Sequence, residues 1–519
     1  MQTQVLIIGA GATGTCLARD LSLRGVSCTV VEKKDINAGA SGANHGLLHS
    51  GARYIASDPP SARECHDENL LIKSLAPHCI EDTGGIFVAV EGDDEKYISD
   101  FPESCRKCGI PVKAIDPAEA RRIEPALSPR VKAAFAVDDA TIDPFRFSLD
   151  NIAFARQHGC CLLRYSRVTG FETSRGLIRR TMVTDELTGR KTGIEAEIVV
   201  NAAGAWTDII AGLAGACMEM RYSKGSLLVT QTRITGNVVN RLRMPTDGDI
   251  LVPGGTVSIL GTTSERVKSP DEIYPETHEI DSIINEGAAM IPELAATRYI
   301  RAYCGVRPLP AGKDAKSRDE NDRAASRGYE LIDHARQPEE IGNLITITGG
   351  KLTTSRLMAE KTADMVCERL RVNEPCRTRS EPLSDTVDAK WTEPGLAPDI
   401  WLKKRPVSDM LLCECEMVPQ SVVKDIAGLI RRQDGRPGLK DIALRSRIGK
   451  GPCQGTFCSQ RTVAYLYDQG YLDNKEGADE LRGFLRERWR GQQPLLWNNS
   501  LAQAELLEAM HCGLFSIEL

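Results

Sequence analysis

The sequence has no long apolar segment, no excess of positive charge and no even set of cysteines. Its 519 residues contain no stretch near the roughly 20 apolar residues that a membrane helix needs. The 65 Lys and Arg are outnumbered by 71 Asp and Glu, and a net charge of −6 gives no reason to expect nucleic acid as a partner. The 17 cysteines cannot all pair within one chain, so we expect free thiols or metal ligands in a reducing cytoplasm.

The composition is that of a folded protein. Hydrophobic residues make up 41% and charged residues 26% of the chain, which argues against disorder and supports a sizeable core. At about 150 residues per domain, the length predicts about three domains. The N-terminus leads directly into an apolar strand pattern, so we expect no signal peptide.

The N-terminal segment has the pattern of a dinucleotide-binding βαβ unit. The apolar run Val5–Ile8 is short, β-branched and non-alternating, which predicts a buried parallel strand. It is followed by a G-x-G-x-x-G motif at Gly9–Gly14, a helical pattern, and a second strand at Ser27–Val31 that ends at Glu32. This order of strand, glycine motif, helix, strand and acidic residue is much more specific for a dinucleotide site than the glycines alone, which also occur in structural turns.

Each residue type in this unit has a physical reason. Gly9 permits the tight turn, Gly11 allows the backbone to approach a pyrophosphate, and Gly14 allows the helix to pack on the strand. The helix N-terminus offers unpaired N–H groups to phosphate, and Glu32 can accept hydrogen bonds from ribose hydroxyls. The motif does not choose between FAD and NAD.

The segment Ser41–Tyr54 favours a flavin. It holds two of the chain's eight His, with several Gly, an Asn and an Arg-Tyr pair. A nicotinamide domain would continue into another βα unit, whereas this polar, glycine-rich passage can lie along an extended cofactor. The alternative interpretation is a long surface loop.

Two further strands support the flavin interpretation. Ile198–Asn201 is an apolar strand that ends in small residues and brings its end close to a cofactor. Leu344–Thr348 alternates as a strand, and Gly349–Thr354 then opens a helix. The dipole of that helix can stabilise the negative charge of a reduced flavin.

With these motifs in place, the sequence closely resembles the A subunits of the anaerobic glycerol-3-phosphate dehydrogenases, within the FAD-dependent D-amino-acid-oxidase-like superfamily. The matching stretches cover nearly the whole chain and are specific only together. They are Gly9–Gly14, Asn44–Tyr54, Thr141–Arg146, Lys224–Ser226, Gly261–Thr263, Gly305–Leu309, Ser326–Gly328 and Gly349–Thr354.

The expected fold is α/β. It combines a Rossmann-like FAD-binding domain, an interleaved α+β substrate domain and a small, mainly helical C-terminal iron–sulfur domain. In the predicted division, the oxidoreductase domain takes residues 1–380, with FAD-binding parts at about 1–75, 145–220 and 335–375 and substrate parts at about 76–144 and 221–334. A proline-rich linker at 381–408, a cluster domain at 409–470 and a helical tail at 471–519 follow.

The motifs and the resemblance together assign a set of residues to FAD. They are Gly9, Gly11, Thr13, Gly14, Glu32, Lys33, Ser41, Gly42, Asn44, His45, Gly46, Leu47, His49, Val168, Ala203, Gly204, Trp206, Gly350, Lys351, Leu352 and Thr353.

The resemblance implies oxidation of sn-glycerol 3-phosphate to dihydroxyacetone phosphate, with hydride transfer to flavin N5. It implies that electrons pass through a partner flavin subunit, and then through an iron–sulfur membrane-anchor subunit, to membrane quinone. The chain would then be cytoplasmic and peripheral on the inner face of the cell membrane. Two alternatives stay open: a dehydrogenase for another small dianion such as L-2-hydroxyglutarate, and a non-catalytic flavin and iron–sulfur electron-transfer subunit.

The substrate phosphate requires cations. The resemblance places Arg53, Arg307 and Arg327 at the phosphate, with Tyr54 beside them. His49 is the first candidate for the catalytic base, since the unperturbed pKa of histidine is near 6.5. The alternative role for His49 is only to position the flavin or substrate, and Lys351 is a further catalytic candidate that can hold the substrate oxygen or the flavin.

One residue departs from the family pattern. Respiratory relatives often carry a His directly after the Lys-Gly-Ser stretch, and this chain has Leu227 there. That candidate base is therefore absent from this sequence.

Four cysteines near the C-terminus form two tight pairs, Cys413 with Cys415 and Cys453 with Cys458. A C-x-C pair with a distant C-x₄-C pair differs from common zinc modules. It resembles the bacterioferritin-associated-ferredoxin-like [2Fe–2S] domain, which implies that all four are cluster ligands. Arg445, Arg447 and Lys450 can offset the negative charge of the cluster. The alternatives are a vestigial domain with reduced cysteines and, less favoured, a zinc site.

Overall fold

The computed structural model describes residues 1–271, 273–311, 328–384, 408–433, 435–497 and 499–517. Arg327 and most of the predicted linker at 381–408 lie outside these ranges. Strands and helices are numbered below in chain order.

The first sheet has eight strands, and its central strands are parallel. Val5 to Ile8 are buried on both faces of the sheet, which explains why their sequence does not alternate. The strands are β1 Gln2–Ile8, β2 Cys28–Val31, β9 Cys161–Leu163, β10 Ser166–Ser174, β11 Leu177–Asp185, β12 Lys191–Asn201, β19 Tyr329–Asp333 and β20 Leu344–Gly349. Their spatial order is β10-β11-β12-β1-β2-β9, with β20 beside β12 and β19 beside β20.

The second sheet has nine strands and is antiparallel except where β14 pairs with β5. Its longest pairing, β13 with β18, sets Gly225 opposite Gly305 and Ser223 opposite Arg307. The strands are β5 Gly85–Val90, β6 Lys113–Ile115, β7 Val131–Val137, β13 Met220–Thr230, β14 Val238–Arg241, β15 Ile250–Gly254, β16 Val257–Gly261, β17 Glu265–Arg266 and β18 Tyr299–Pro310.

A small third sheet joins the passage after β2 to the rest of the fold. It is built from β3 Leu47–Leu48, β8 Ala140–Ile142 and β4 Ile80–Glu81. Eight helices in the described residues up to 384 surround the sheets. They are α1 Ala12–Leu23, α2 Pro59–Leu75, α3 Glu95–Lys107, α4 Pro117–Ile123, α5 Pro144–Gln157, α6 Thr207–Leu213, α7 Thr277–Met290 and α8 Ser355–Leu370.

The glycine motif connects β1 to α1. Gly9 has a φ of 110°, and a Cβ at Gly14 would lie 2.0 Å from the Gly9 carbonyl oxygen. Only glycine fits these two positions, because the helix begins directly against the turn. The carboxyl ends of β1 and β12 therefore meet at the N-terminus of α1.

The four predicted strands of the first sheet are confirmed. Three of them differ from the prediction by three residues or fewer at their ends, whereas the strand predicted at Ile198–Asn201 begins seven residues earlier, at Lys191. The helix expected to open within Gly349–Thr354 begins at Ser355 instead, since Thr354 is its N-cap residue. The strand Tyr329–Asp333 pairs with β20 in the first sheet. The division into domains stays a prediction.

The C-terminal region is mainly helical. Its elements are β21 Leu411–Cys413, β22 Val418–Pro419, α9 Gln420–Gln433, α10 Leu439–Arg445, α11 Cys458–Asp468, α12 Asn474–Gln492 and α13 Asn499–Phe515. A core that includes Val423, Ile426, Leu466 and Phe484 packs the two strands and α9 to α12 together. No helix in the described ranges is both long enough and apolar enough to cross a bilayer.

Buried ion pairs dock this region on the first sheet. Arg445 places Nη1 and Nη2 at 2.7 and 3.1 Å from the carboxylate oxygens of Asp35. Arg164 lies between Asp35, at 3.0 Å, and Asp441, at 2.6 Å. Burial by itself would raise the pKa of Asp35, but Arg445 and Arg164 outweigh it and hold that pKa well below its usual range. Asp441 is compensated less well, since burial, followed by the charge of Asp35, raises its pKa to about 6.

Arg445→Met is expected to weaken this docking by about 3–5 kcal/mol, because it leaves buried carboxylates without one of their two cations. Calorimetry of the purified protein should then show a Tm lowered by several degrees. The control is Arg482→Met, which removes a solvent-exposed pair with Asp479 and should cost no more than about 1 kcal/mol. Equal Tm values for the two variants would contradict the structural role of Arg445.

Candidate active site

A cavity of about 1010 Å³ lies between the first and second sheets. It is at the upper end of the size range of small-molecule sites. Its wall is formed by the glycine motif, the segment after β2, the ends of β12 and β20, and strands β13 and β18. The cavity therefore meets the carboxyl ends of the parallel strands, where ligands of open α/β sheets bind.

At one end of the cavity, two backbone segments come unusually close to each other. A Cβ on Gly9 would lie 2.6 Å from the carbonyl oxygen of Ala202. The N–H of Ala12 donates to Ser41 Oγ at 2.9 Å, which ties the start of α1 to the segment after β2. This arrangement leaves a narrow, glycine-lined cradle at a helix N-terminus, as an anionic cofactor requires.

Glu32 lies at the same end. Its carboxylate accepts hydrogen bonds from the backbone N–H groups of Ala10 and Lys34, each at 2.9 Å. Burial raises the pKa of Glu32 despite these donors. The two amides fix the direction of the carboxylate at the cavity wall.

Lys33, Trp206 and Asp271 form one side of the wall. The Lys33 Nζ lies 3.6 Å from the centre of the indole ring, and Trp206 Nε1 donates to Asp271 at 2.9 Å. Lys33 also pairs with Asp271 at 3.3 Å. Sequence reasoning identified Lys33 and Trp206 but missed Asp271, since no local pattern relates it to either residue.

The segment after β2 is held by its own polar groups. The Asn44 side chain donates to the carbonyls of Ala40 and Ser41 and accepts from the Gly46 N–H at 2.7 Å. Tyr303 on β18 donates to the Asn44 carbonyl at 2.8 Å. This loop is therefore an ordered wall of the cavity.

His49 occupies the other part of the cavity. Its backbone N–H donates to Thr353 Oγ1 at 3.1 Å, and its Nε2 lies 3.3 Å from the hydroxyl of Tyr54. Burial, followed by the charges of His45 and Lys351, holds the pKa of His49 well below 6.5. The imidazole is neutral near pH 7 and can accept a proton.

Two arginines from distant parts of the chain reach the same cavity. Arg53 pairs with Asp249 at 3.2 Å. Arg307 donates to Thr262 Oγ1 at 2.5 Å and to the carbonyl of Thr263 at 2.8 Å. The third predicted arginine, Arg327, lies outside the described residues.

Two buried polar atoms in this part of the wall have no hydrogen-bond partner among the described residues, His45 Nε2 and Arg53 Nη1. Burial, followed by the charges of Arg307 and Arg53, lowers the pKa of His45 to about 3. Together with the glycine cradle, these donors and acceptors fit FAD with a small anion beside it.

Most residues assigned to FAD line this cavity. They are Gly9, Gly11, Thr13, Glu32, Lys33, Ser41, Asn44, His45, Leu47, His49, Val168, Ala203, Gly204, Trp206, Gly350, Lys351 and Leu352. Arg53, Tyr54, Arg307 and Leu227 also line it.

Four of the assigned residues are not among the lining residues of the cavity. Gly14 packs under the glycine turn, and Thr353 holds the backbone of His49. Gly42 and Gly46 pack closely against backbone carbonyls of neighbouring segments. Sequence reasoning assigned no role to the lining residues Tyr165, Arg167 and Met358, because a spacing pattern does not show which loops meet.

The four C-terminal cysteines converge in the structure. Contacts between thiols join Cys413 to Cys458, Cys458 to Cys453 and Cys453 to Cys415. A hydrogen bond with the Cys458 thiol, together with backbone N–H groups of Gly455 and Phe457, lowers the pKa of Cys453 to about 5. A set of four cysteine sulfurs with amide donors fits an iron–sulfur cluster.

The three cations predicted to offset a cluster charge have other partners in the structure. Arg445 pairs with Asp35, and Arg447 pairs with the buried Glu416 at 3.0 Å. The Lys450 Nζ lies 4.8 Å from the centre of the Phe145 ring, and burial lowers the pKa of this lysine to about 7. Their role at a cluster stays a prediction.

The family model "FAD dependent oxidoreductase" matches residues 4–365. Among the anaerobic glycerol-3-phosphate dehydrogenase A subunits, that of Escherichia coli (strain K12) is 40% identical over 99% of this chain and 97% of its own length. The one from Haemophilus influenzae is 37% identical over 100% of this chain and 94% of its own. A glycerol-3-phosphate dehydrogenase structure from Bacillus halodurans, complexed with FAD, shares the fold at a TM-score of 0.66 and 20% identity, covering 96% of this chain and 97% of that one.

Gly225→Ala is expected to weaken binding of inorganic phosphate about tenfold, as loss of a charge-assisted hydrogen bond would. A Cβ at this position would lie 2.4 Å from Arg307 Nη2 and would displace the guanidinium. Calorimetric titration of the flavin-loaded protein measures the Kd. Gly212→Ala is the control, since a Cβ there meets nothing within 4 Å. Equal phosphate Kd values for Gly225→Ala and Gly212→Ala would argue against Arg307 as an anion ligand.

Proposed function

The chain belongs to the FAD-dependent oxidoreductases and, within them, to the anaerobic glycerol-3-phosphate dehydrogenase A subunits, and on this premise we propose that it oxidises sn-glycerol 3-phosphate to dihydroxyacetone phosphate. The observation that carries the proposal is one cavity that joins a dinucleotide cradle to two arginines and a neutral histidine.

Arg53 and Arg307 bind the phosphate of the substrate in this proposal, with Tyr54 beside them. Phosphate carries about −1.5 to −2 charges at neutral pH, so planar cationic donors suit it. At 4 Å and an effective dielectric constant near 20, each contact contributes about 4 kcal/mol before desolvation. Arg327 is assigned to the same phosphate from the family motif.

His49 accepts the proton of the substrate's C2 hydroxyl. Bound FAD supplies the two-electron acceptor that takes the C2 hydrogen as hydride. Tyr54 holds the imidazole ring at Nε2, and the positive charge of Lys351 disfavours its protonated form before the substrate arrives. With Leu227 on β13, that strand offers no second imidazole to the cavity.

FAD is held, in this proposal, by the residues assigned to it from the sequence. Gly9, Gly11 and Thr13 face its phosphates, and Glu32 faces its ribose. Lys351 and the neighbouring residues before α8 face the ring, where the positive end of the helix dipole lies.

We propose further that Cys413, Cys415, Cys453 and Cys458 hold a [2Fe–2S] cluster. Their convergence and the amide donors at Cys453 support it. Such a cluster would supply a one-electron carrier to a chain whose flavin takes electrons in pairs.

Electrons would leave toward a membrane quinone through a partner flavin subunit, and then through an iron–sulfur membrane-anchor subunit. The curated relatives are named as subunits, which supports an assembly of several chains. The chain itself would then lie on the cytoplasmic face of the membrane, as part of an anaerobic respiratory chain.

Glycerol 3-phosphate is expected to bleach the bound flavin in stopped-flow measurements, and His49→Asn should slow this step about 10²- to 10⁴-fold, as loss of a general base does. Because the pKa of His49 lies well below 6.5, the wild-type rate constant should hold as the pH falls through 6.5. The imidazole is then still neutral and able to accept the proton.

The control for this experiment is His158→Asn, which changes an exposed histidine that does not line the cavity. If L-2-hydroxyglutarate bleaches the flavin faster than glycerol 3-phosphate does, L-2-hydroxyglutarate becomes the proposed substrate instead. No bleaching by any small alcohol would favour a non-catalytic electron-transfer subunit.

Anaerobically purified protein is expected to contain about two irons per chain and to absorb beyond the flavin bands, as a [2Fe–2S] centre requires. Cys453→Ser should lose both signals while it keeps its FAD. Cys217→Ser, at an exposed free cysteine, should keep both. Iron-free wild-type protein with full activity would remove the cluster from the proposal.

A further inference from the structure

The carboxylate of Asp249 lies directly behind Arg53. Its side chain is 1% exposed, and its Oδ2 lies 3.2 Å from Arg53 Nη2. Arg53 lines the cavity, whereas Asp249 is not among the described lining residues. Asp249 can therefore affect a ligand in the cavity through Arg53.

Asp249 is held firmly from its other side. Arg243 donates to Oδ1 from Nε at 3.1 Å and from Nη2 at 2.8 Å. The backbone N–H of Thr246 donates to Oδ2 at 2.5 Å, and its hydroxyl donates to Oδ1 at 3.1 Å. The loop before β15 thus fixes the carboxylate independently of Arg53.

This fixed carboxylate determines how Arg53 faces the cavity. A guanidinium is planar, so holding Nη2 sets the direction of Nη1 as well. Arg53 Nη1 is buried and has no hydrogen-bond partner within the described ranges. Without Asp249, the long side chain would regain rotamer freedom that anion binding must then remove.

The charges around Asp249 preserve the attraction of Arg53 for an anion. Arg243 compensates the carboxylate on the side away from the cavity, and Glu286, which pairs with Arg243 at 2.7 Å, is partly exposed and screened by water. Among its contacts, Arg307 donates to the Thr262 hydroxyl and to the Thr263 carbonyl. The direction of Arg53 depends on a buried carboxylate, that of Asp249.

We propose that Asp249 is a positioning residue that aims Arg53 at the substrate's phosphate, and so sets the affinity of this site for phosphorylated ligands. The inference rests on the proposed function and deepens it, since it names how the phosphate is recognised.

The test compares binding of inorganic phosphate to the flavin-loaded wild type and to Asp249→Asn by calorimetric titration. The variant keeps the shape of the side chain and loses its charge, and we expect the phosphate Kd to rise about 10- to 100-fold. Asp93→Asn is the matched control, because Asp93 is also buried and pairs with an arginine, Arg241, at 2.6 Å. Its phosphate Kd should equal that of the wild type.

A double-mutant cycle separates positioning from a general structural effect. In an Arg53→Ala background, Asp249→Asn should raise the phosphate Kd no further, because the group through which it acts is gone. In steady-state assays, Asp249→Asn should raise the KM for glycerol 3-phosphate while kcat changes by no more than about twofold. Asp249→Glu should restore part of the affinity.

An unchanged phosphate Kd in Asp249→Asn, additive effects in the cycle, or a wild type that binds no phosphate would each overturn the proposal. If Asp249→Asn loses its flavin, Arg243→Lys is tested instead, since it loosens the Asp249 carboxylate and keeps the positive charge at position 243. This variant must raise the phosphate Kd, by a smaller factor than the one expected for Asp249→Asn. An unchanged phosphate Kd in Arg243→Lys would overturn the proposal. Failure of the proposed function is seen separately, as a wild type that binds phosphate but is not bleached by glycerol 3-phosphate.

Discussion

The contact of Gly9 with Gly14 and Ala202 is the constraint on which the cofactor half of this protein depends. It joins the ends of two parallel strands to the first turn of a helix with no room for a side chain at either glycine. The same contact directs the helix N-terminus into the cavity. A cradle for an anionic cofactor follows from backbone packing before any charged side chain is considered.

The second half of the cavity is organised by charge. Burial makes protonated histidine costly at both His45 and His49, and nearby arginines and Lys351 add to this effect. The site therefore combines fixed positive charge with neutral imidazole. That combination suits a dianionic substrate that must also give up a hydroxyl proton.

The C-terminal region is joined to the cofactor half by buried ion pairs. Asp35 follows Glu32 by only three residues, so the segment that gives the cavity wall a carboxylate also carries the docking carboxylate. Tyr165 lines the cavity and donates to Asp441 at 2.7 Å. The helical region that carries the four cysteines is thus attached beside the cavity.

The sequence by itself determined the elements that depend on neighbours along the chain: the strand, turn and helix around the glycine motif, the polar segment with His45 and His49, and the two cysteine pairs. Local spacing encodes these features, because helices, turns and paired ligands form between residues a few positions apart. Only the tertiary structure decided which charges meet. Asp249 is 196 residues from Arg53, and Arg445 is 410 residues from Asp35. Such partners are set by the packing of whole sheets and domains, and no spacing in the sequence records them.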